Sequence, residues 1–220
     1  MAGRGRLEDV PPIKNEKLFM LRNGKWWPLA EPVNYDRPFA GVSLAAVFAD
    51  EYAKKFGVKT GLIPCADGGS SLDEWAVGGQ LYSHALALTR LAQRVSEVKA
   101  ILWHQGEAES GSEEKARTYK PRFLSILSSL REACGLEDIP VILGELGNFL
   151  GDCAEENLQY YPLVNKALAE IAAPDSGIGL ASAEGLGANS DNLHFNAQSC
   201  RIFGGRYFQK YLELRGAAGK

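Results

Sequence analysis

The chain is poor in the residue types that announce metal sites and disulfide scaffolds. Its 220 residues include only three histidines and four cysteines. The cysteines, Cys65, Cys134, Cys153 and Cys200, lie far apart and form no Cys-x-x-Cys pair. They build neither a zinc site nor a dense disulfide framework and read as free thiols. The histidines His84, His104 and His194 fall in separate segments, with no His-x-x-x-His pair and no clustered carboxylates, so metal-assisted catalysis has no support. A basic excess is lacking too: 24 Lys and Arg face 27 Asp and Glu, for a formal net charge of -3. With both signs scattered there is no electrostatic footprint for nucleic acid or an anionic membrane surface. No apolar run approaches the roughly 18 residues of a spanning helix. Met1 to Arg6 leads into polar, Pro-rich sequence rather than the apolar stretch of a signal peptide. What remains is a chain of single-domain size, residues 1–220, able to bury a core without staples and suited to a small neutral partner. Its compartment is left open.

What is present is alternation. From Gly41 onward, segments of helical period alternate with short apolar runs of strand length. Helices are expected over Leu44 to Lys55, stopped at Gly57, then Gln80 to Arg94, Glu113 to Glu132 with an interruption at Pro121, Glu156 to Ala172, and Asn196 to Leu214. Strands are expected over Val58 to Cys65, Val98 to Trp103, Pro140 to Gly144 and Ile178 to Ala181. This rhythm predicts a mostly parallel sheet covered by helices on both faces. The first forty residues break it: Leu18 to Arg22 and Lys25 to Pro28 flank Asn23-Gly24, a small hairpin expected to be a peripheral excursion. Sheets of this class usually begin with a buried central strand, and none precedes the hairpin.

Chemistry in such sheets gathers at the carboxyl ends of the strands. The loops expected there read Asp67-Gly68-Gly69-Ser70-Ser71-Leu72-Asp73-Glu74-Trp75, His104-Gln105-Gly106-Glu107, Gly147-Asn148-Phe149 and Asp191-Asn192-Leu193-His194-Phe195. Asp191 stands three residues before His194, close enough to hold Nδ1 and leave Nε2 free as a general base. A loop aspartate capping a turn beside a surface histidine gives the same spacing. Gln105 follows a buried-looking strand, where its amide can face a developing oxyanion; Gly106 allows a sharp turn and Glu107 a brace. A polar loop whose Glu107 caps the next helix fits equally. Gly68-Gly69 can present an unobstructed backbone N-H, although a Gly-Gly pair is usually just a turn. It is not a phosphate loop, since no Lys-Ser/Thr follows. Trp75 reads as a sugar-stacking wall or as packing, and His84 as a surface or packing residue inside a helix.

In this order, the Gly68 to Trp75, Trp103 to Glu107 and Asp191 to Phe195 motifs resemble the SGNH-type serine esterases, specifically the sialate O-acetylesterase and acetylxylan esterase branch, carbohydrate esterase family six. The resemblance implies a flavodoxin-like three-layer sandwich. A serine would attack an acetyl carbonyl, with His194 steered by Asp191 moving the proton. Gly68, Gly69 and Gln105 would supply oxyanion donors beside the serine's own N-H, with Glu107 in support. The substrate would be an acetylated carbohydrate or another small acetyl ester, and no cofactor would be needed. In that family the nucleophile stands in a Gly-Gln-Ser-Asn block, commonly continued by Met-Ala-Gly-Arg-Gly, at the end of the first strand. This sequence reads Met1-Ala2-Gly3-Arg4-Gly5. The resemblance therefore places the serine two residues before Met1. It also places the missing central strand between those at Val58 and Val98, whose absence would leave two unpaired edges and an apolar trench. Two further expectations compete: a relative lacking the nucleophile that only binds glycans or a protein, and a substitute nucleophile among Ser70, Ser71 and Ser190.

Overall fold

The computed structural model describes residues 1–154, 156–173 and 177–217. In chain order the elements are β1 (Leu18–Arg22), β2 (Lys25–Pro28), α1 (Leu44–Phe56), β3 (Thr60–Leu62), α2 (Gln80–Gln93), β4 (Ile101–Trp103), α3 (Glu107–Ser110), α4 (Glu113–Arg117), α5 (Tyr119–Cys134), β5 (Val141–Gly144), α6 (Tyr161–Ile171), β6 (Ile178–Ala181) and α7 (Ala197–Ala217). The architecture is the expected α/β sandwich. The strand β5 shows why it has three layers. All four of its residues are buried; Val141 and Leu143 join the core beneath α5 and α6, while Ile142 points into the core shared by α1 and α7. A strand buried on both faces reads as a continuous apolar run.

Two helix boundaries differ from those expected. The break expected at Pro121 falls at Thr118 instead, between α4 and α5. Pro121 then sits in the first turn of α5, where a missing N-H leaves no helix bond unmade. The last expected helix before β6 begins at Tyr161 rather than Glu156, with Pro162 in its first turn.

The hairpin forms at Asn23-Gly24, both at positive φ, but it is not peripheral. Its first strand runs parallel to β3, Leu18 opposite Thr60 and Met20 opposite Leu62. Leu18 is buried against Ala49 and Ala53 of α1, and this burial draws β1 into the sheet. The result is two three-stranded sheets, β2-β1-β3 and β4-β5-β6. Within the second, β4, β5 and β6 are parallel.

Between the two sheets lies the trench that the sequence reading anticipates. One edge of β3 is taken by β1 and one edge of β4 by β5, while β3 and β4 do not pair with each other. A cavity of about 1000 Å³ separates them, lined by Thr60 and Leu62 of β3, Leu102 of β4, and Phe48 and Tyr52 of α1. The strands expected over Val58 to Cys65 and Val98 to Trp103 are each three residues long, because their flanking residues have no ladder partner on the trench side.

Candidate active site

The histidine loop is built from the core outward. Phe195 is buried against Phe149, His104 and Phe203, with ring centroids 4.9, 5.6 and 5.1 Å away. It anchors the segment just before α7, and a short antiparallel bridge joins it to Ala188. The Asn189 N-H donates to the His194 carbonyl at 2.7 Å. Within this closed loop the Asp191 carboxylate is shared. Its Oδ1 accepts the backbone N-H groups of Leu193 and His194 at 2.9 and 3.0 Å, and its Oδ2 lies 2.8 Å from His194 Nδ1. The carboxylate is an acceptor at that contact, so the network assigns the proton to Nδ1 and leaves Nε2 with its lone pair. Burial pushes the Asp191 pKa up, but the His194 and Leu193 bonds outweigh it and hold the carboxyl below the usual carboxylate range. The pair is half-exposed at the surface.

The loop that begins at Gly68 lines the same cavity as His194. This loop is clamped on both sides of Gly69 and Ser70. Asp36 Oδ2 accepts the Gly68 N-H at 2.9 Å, and Arg37 donates to the Gly68 carbonyl at 3.1 Å. Glu74 accepts the Ser71 N-H at 2.7 Å, and Glu109 Oε1 accepts the Leu72 N-H at 2.7 Å. The N-H groups of Gly69 and Ser70, between these positions, make no hydrogen bond within the described residues. Gly68 is required by close approach: a Cβ there would lie 2.1 Å from the Arg4 guanidinium.

Gln105 is buried, and its Nε2 is engaged twice, donating to the Ser70 carbonyl at 3.1 Å and to Glu109 Oε2. Its Oε1 is buried without a partner. The geometry thus uses the Gln105 amide to tie the β4 loop to the Gly68 loop, and the Gly68 N-H is likewise spent on Asp36. Of the three oxyanion donors expected from sequence, only Gly69 has its N-H free of protein acceptors. Sequence reading did not single out Glu109, Asp36 or Arg4. Glu109 is fully buried, and the signal that could have found it is a second acid on the short helix that opens at Glu107.

Gly106 makes the turn into α3 at φ +149, and a Cβ there would approach Val164 to 2.7 Å. Glu107 Oε1 stands 3.5 Å from His104 Nε2. Burial raises the Glu107 pKa, but the neighbouring His104 ring outweighs it and brings it down to about 2. Ser70 and Ser71 are already bonded, Ser70 Oγ to the Asp67 carbonyl and Trp75 Nε1, and Ser71 Oγ to Glu74. Ser190 is exposed. Trp75 packs edge-on against Trp103 at 5.2 Å, so it belongs to the core, and His84 is exposed on α2. The Gly147 to Phe149 loop contributes Phe149 as a support for Phe195. Among the described residues no group of three His, Cys, Asp or Glu side chains could hold a metal ion.

The fold is thus an α/β sandwich with a His-Asp pair and a clamped glycine loop at the carboxyl ends of its strands. Comparison with known proteins specifies the family. Residues 1–213 match the model of the carbohydrate esterase, sialic acid-specific acetylesterase family, and the chain belongs to it. It is 27% identical to a probable carbohydrate esterase of Arabidopsis thaliana over 234 residues, 96% of this chain and 86% of that protein. An X-ray structure of an Arabidopsis thaliana protein superposes with a TM-score of 0.86 at 25% identity, covering 97% of this chain and 93% of the other. A carbohydrate acetylesterase from Xanthomonas citri shares the fold, with a TM-score of 0.68 at 18% identity over 94% of this chain and 51% of that one.

Proposed function

We propose that this chain removes acetyl groups from acetylated sugars by a serine mechanism in which His194 is the general base and acid. A serine Oγ attacks the acetyl carbonyl carbon and its proton passes to His194 Nε2. The tetrahedral intermediate collapses, the bond to the sugar oxygen breaks, and His194 returns the proton to that oxygen. Water then attacks the acetyl-serine by the same route in reverse, releasing acetate. Asp191 keeps the imidazole in the required tautomer and stabilises its cation. The Gly69 N-H, which carries no protein acceptor, suits the oxyanion. The observation that carries this reading is the 2.8 Å contact from Asp191 to His194 Nδ1, made by a carboxylate whose other oxygen accepts two backbone N-H groups.

The nucleophile fits best on a strand filling the trench between β3 and β4. Both edges there offer unpaired backbone groups, and burying such groups unsatisfied costs about 1 to 3 kcal/mol each. A parallel strand would satisfy them and bring its carboxyl end to the cavity mouth, beside His194 and Gly69.

A second reading, a sugar-binding relative without chemistry, is favoured by one observation: no hydroxyl among the described residues bonds the His194 ring. Acetate release from an acetylated xylo-oligosaccharide by a form carrying the trench strand, lost on His194→Ala, separates the two. Sugar binding with no acetate release in that folded form would establish the second.

A further inference from the structure

Beside Arg4, which lines the trench cavity, an aromatic ring stands open to solvent. Phe39 is 67% exposed. A single exposed aromatic ring is ordinary on a protein surface; what sets this one apart is what holds it. The segment that carries it grips the Gly68 loop at both backbone atoms of Gly68, through Asp36 and Arg37. Under the ring lies the Arg4 guanidinium, 5.1 Å from the centroid. Arg4 is itself fixed from three sides: to Asp36 Oδ2 at 2.6 Å, to the Gly3 carbonyl at 2.9 Å, and through its own carbonyl to Asn189 of the histidine loop at 3.0 Å. Phe39 is therefore tied by one bridging arginine to both halves of the site, the glycine loop and the loop of Asp191 and His194.

We propose that Phe39 is the platform on which the sugar ring of an acetylated pyranoside stacks while its acetyl group reaches the Gly69 and His194 side of the cavity. One face of a pyranose presents a set of electron-poor C-H bonds, and the negative face of an aromatic ring receives them. With the cation beneath one face, the opposite face is the one left to a ligand. The ion pair between Arg4 and Asp36 is almost fully buried, so the platform is rigid before the sugar arrives, and little ordering cost falls on binding. This assignment rests on the acetylesterase reading and adds to it: Phe39 selects for a ring-bearing ester over a simple acetate and leaves the chemical step to the residues inside the cavity.

The test is equilibrium binding of a mono-O-acetylated methyl xylopyranoside by calorimetry, comparing the wild-type chain with Phe39→Ala and Phe39→Trp. The expected result is a Kd raised about three- to tenfold in Phe39→Ala and restored in Phe39→Trp. The urea midpoint should stay unchanged, since an exposed ring holds little folding energy. In the acetate-releasing form, Phe39→Ala should raise KM for the sugar ester, leave its kcat, and leave kcat/KM for ethyl acetate untouched. Binding within twofold of wild type in Phe39→Ala would overturn the platform while leaving the esterase reading intact. Wild-type protein that fails to bind the acetylated sugar would overturn both.

Discussion

Removing the carboxyl group of Glu109 should damage stability and catalysis together, because one buried side chain holds two loops. Glu109 is completely inaccessible. It accepts the Leu72 N-H at 2.7 Å and a Gln105 amide hydrogen, and Gln105 in turn holds the Ser70 carbonyl at 3.1 Å. Glu109→Ala leaves two donors buried without acceptors. At about 1 to 3 kcal/mol for each, the loss is about 2 to 6 kcal/mol, a large share of the roughly 5 to 15 kcal/mol that holds a domain together. Glu109→Gln keeps the shape and can still accept from Leu72, but it turns an N-H toward the Gln105 N-H, so the loss should be about half as large. Urea unfolding followed by tryptophan fluorescence measures both, since Trp75 and Trp103 pack against each other beside this network. Acetate release in the active form should fall in the same order, as the Gly69 N-H loses its fixed position. An alanine variant within about 0.5 kcal/mol of wild type would refute the claim that this carboxyl clamps the loop.

Asp191→Asn should lower kcat by about 10² to 10⁴ with little change in KM, since the amide favours the wrong His194 tautomer; steady-state kinetics on an acetylated sugar check this. Acid should weaken the fold through Asp36 and Asp191. Burial raises the pKa of Asp36, but Arg4 and the Gly68 N-H outweigh it, and Asp191 is also held low. Folded-state values below the unfolded ones mean that the unfolded chain binds more protons, so their stabilisation is present above a pH of about 4 and is lost as the pH falls below it. Urea midpoints taken from pH 7 to pH 3 should be flat above about pH 5 and fall below 4, with a shallower fall in Asp36→Asn. Gly106→Ala should destabilise by about 1 to 3 kcal/mol, because its Cβ meets Val164 at 2.7 Å in a backbone conformation that alanine resists; thermal unfolding measures the loss.

Local patterns in the sequence foretold much of the fold. Alternating periods located α1, α2, β5, β6 and α7 within a few residues, and the Asn23-Gly24 pair located the hairpin. The pairing of β1 with β3 was not legible, because a half-buried strand in a hairpin looks the same whether its free edge meets solvent or another strand. Pro121 misled about the helix break, since a proline marks either an interruption or a first turn. At the site, the spacing of Asp191 and His194 predicted a contact that the structure contains. The partners of Gln105 and Gly68 were hidden, because Glu109 and Asp36 reach them across distances of 4 and 32 residues, and a short acidic segment gives no sign of which backbone N-H it will hold. Phe39 was equally silent, as its position depends on the bridge through Arg4.

The central claim is that His194, held by Asp191, is the general base and acid of an acetyl transfer from a sugar to a serine. The direct measurement is acetate release from an acetylated xylo-oligosaccharide by the 220-residue chain, by a form extended upstream of Met1 through a Gly-Gln-Ser-Asn-bearing strand, and by that form with His194→Ala. The account predicts release by the extended form and none from that form once His194 is alanine. A folded extended form that releases no acetate, or one that keeps its rate without His194, would contradict it.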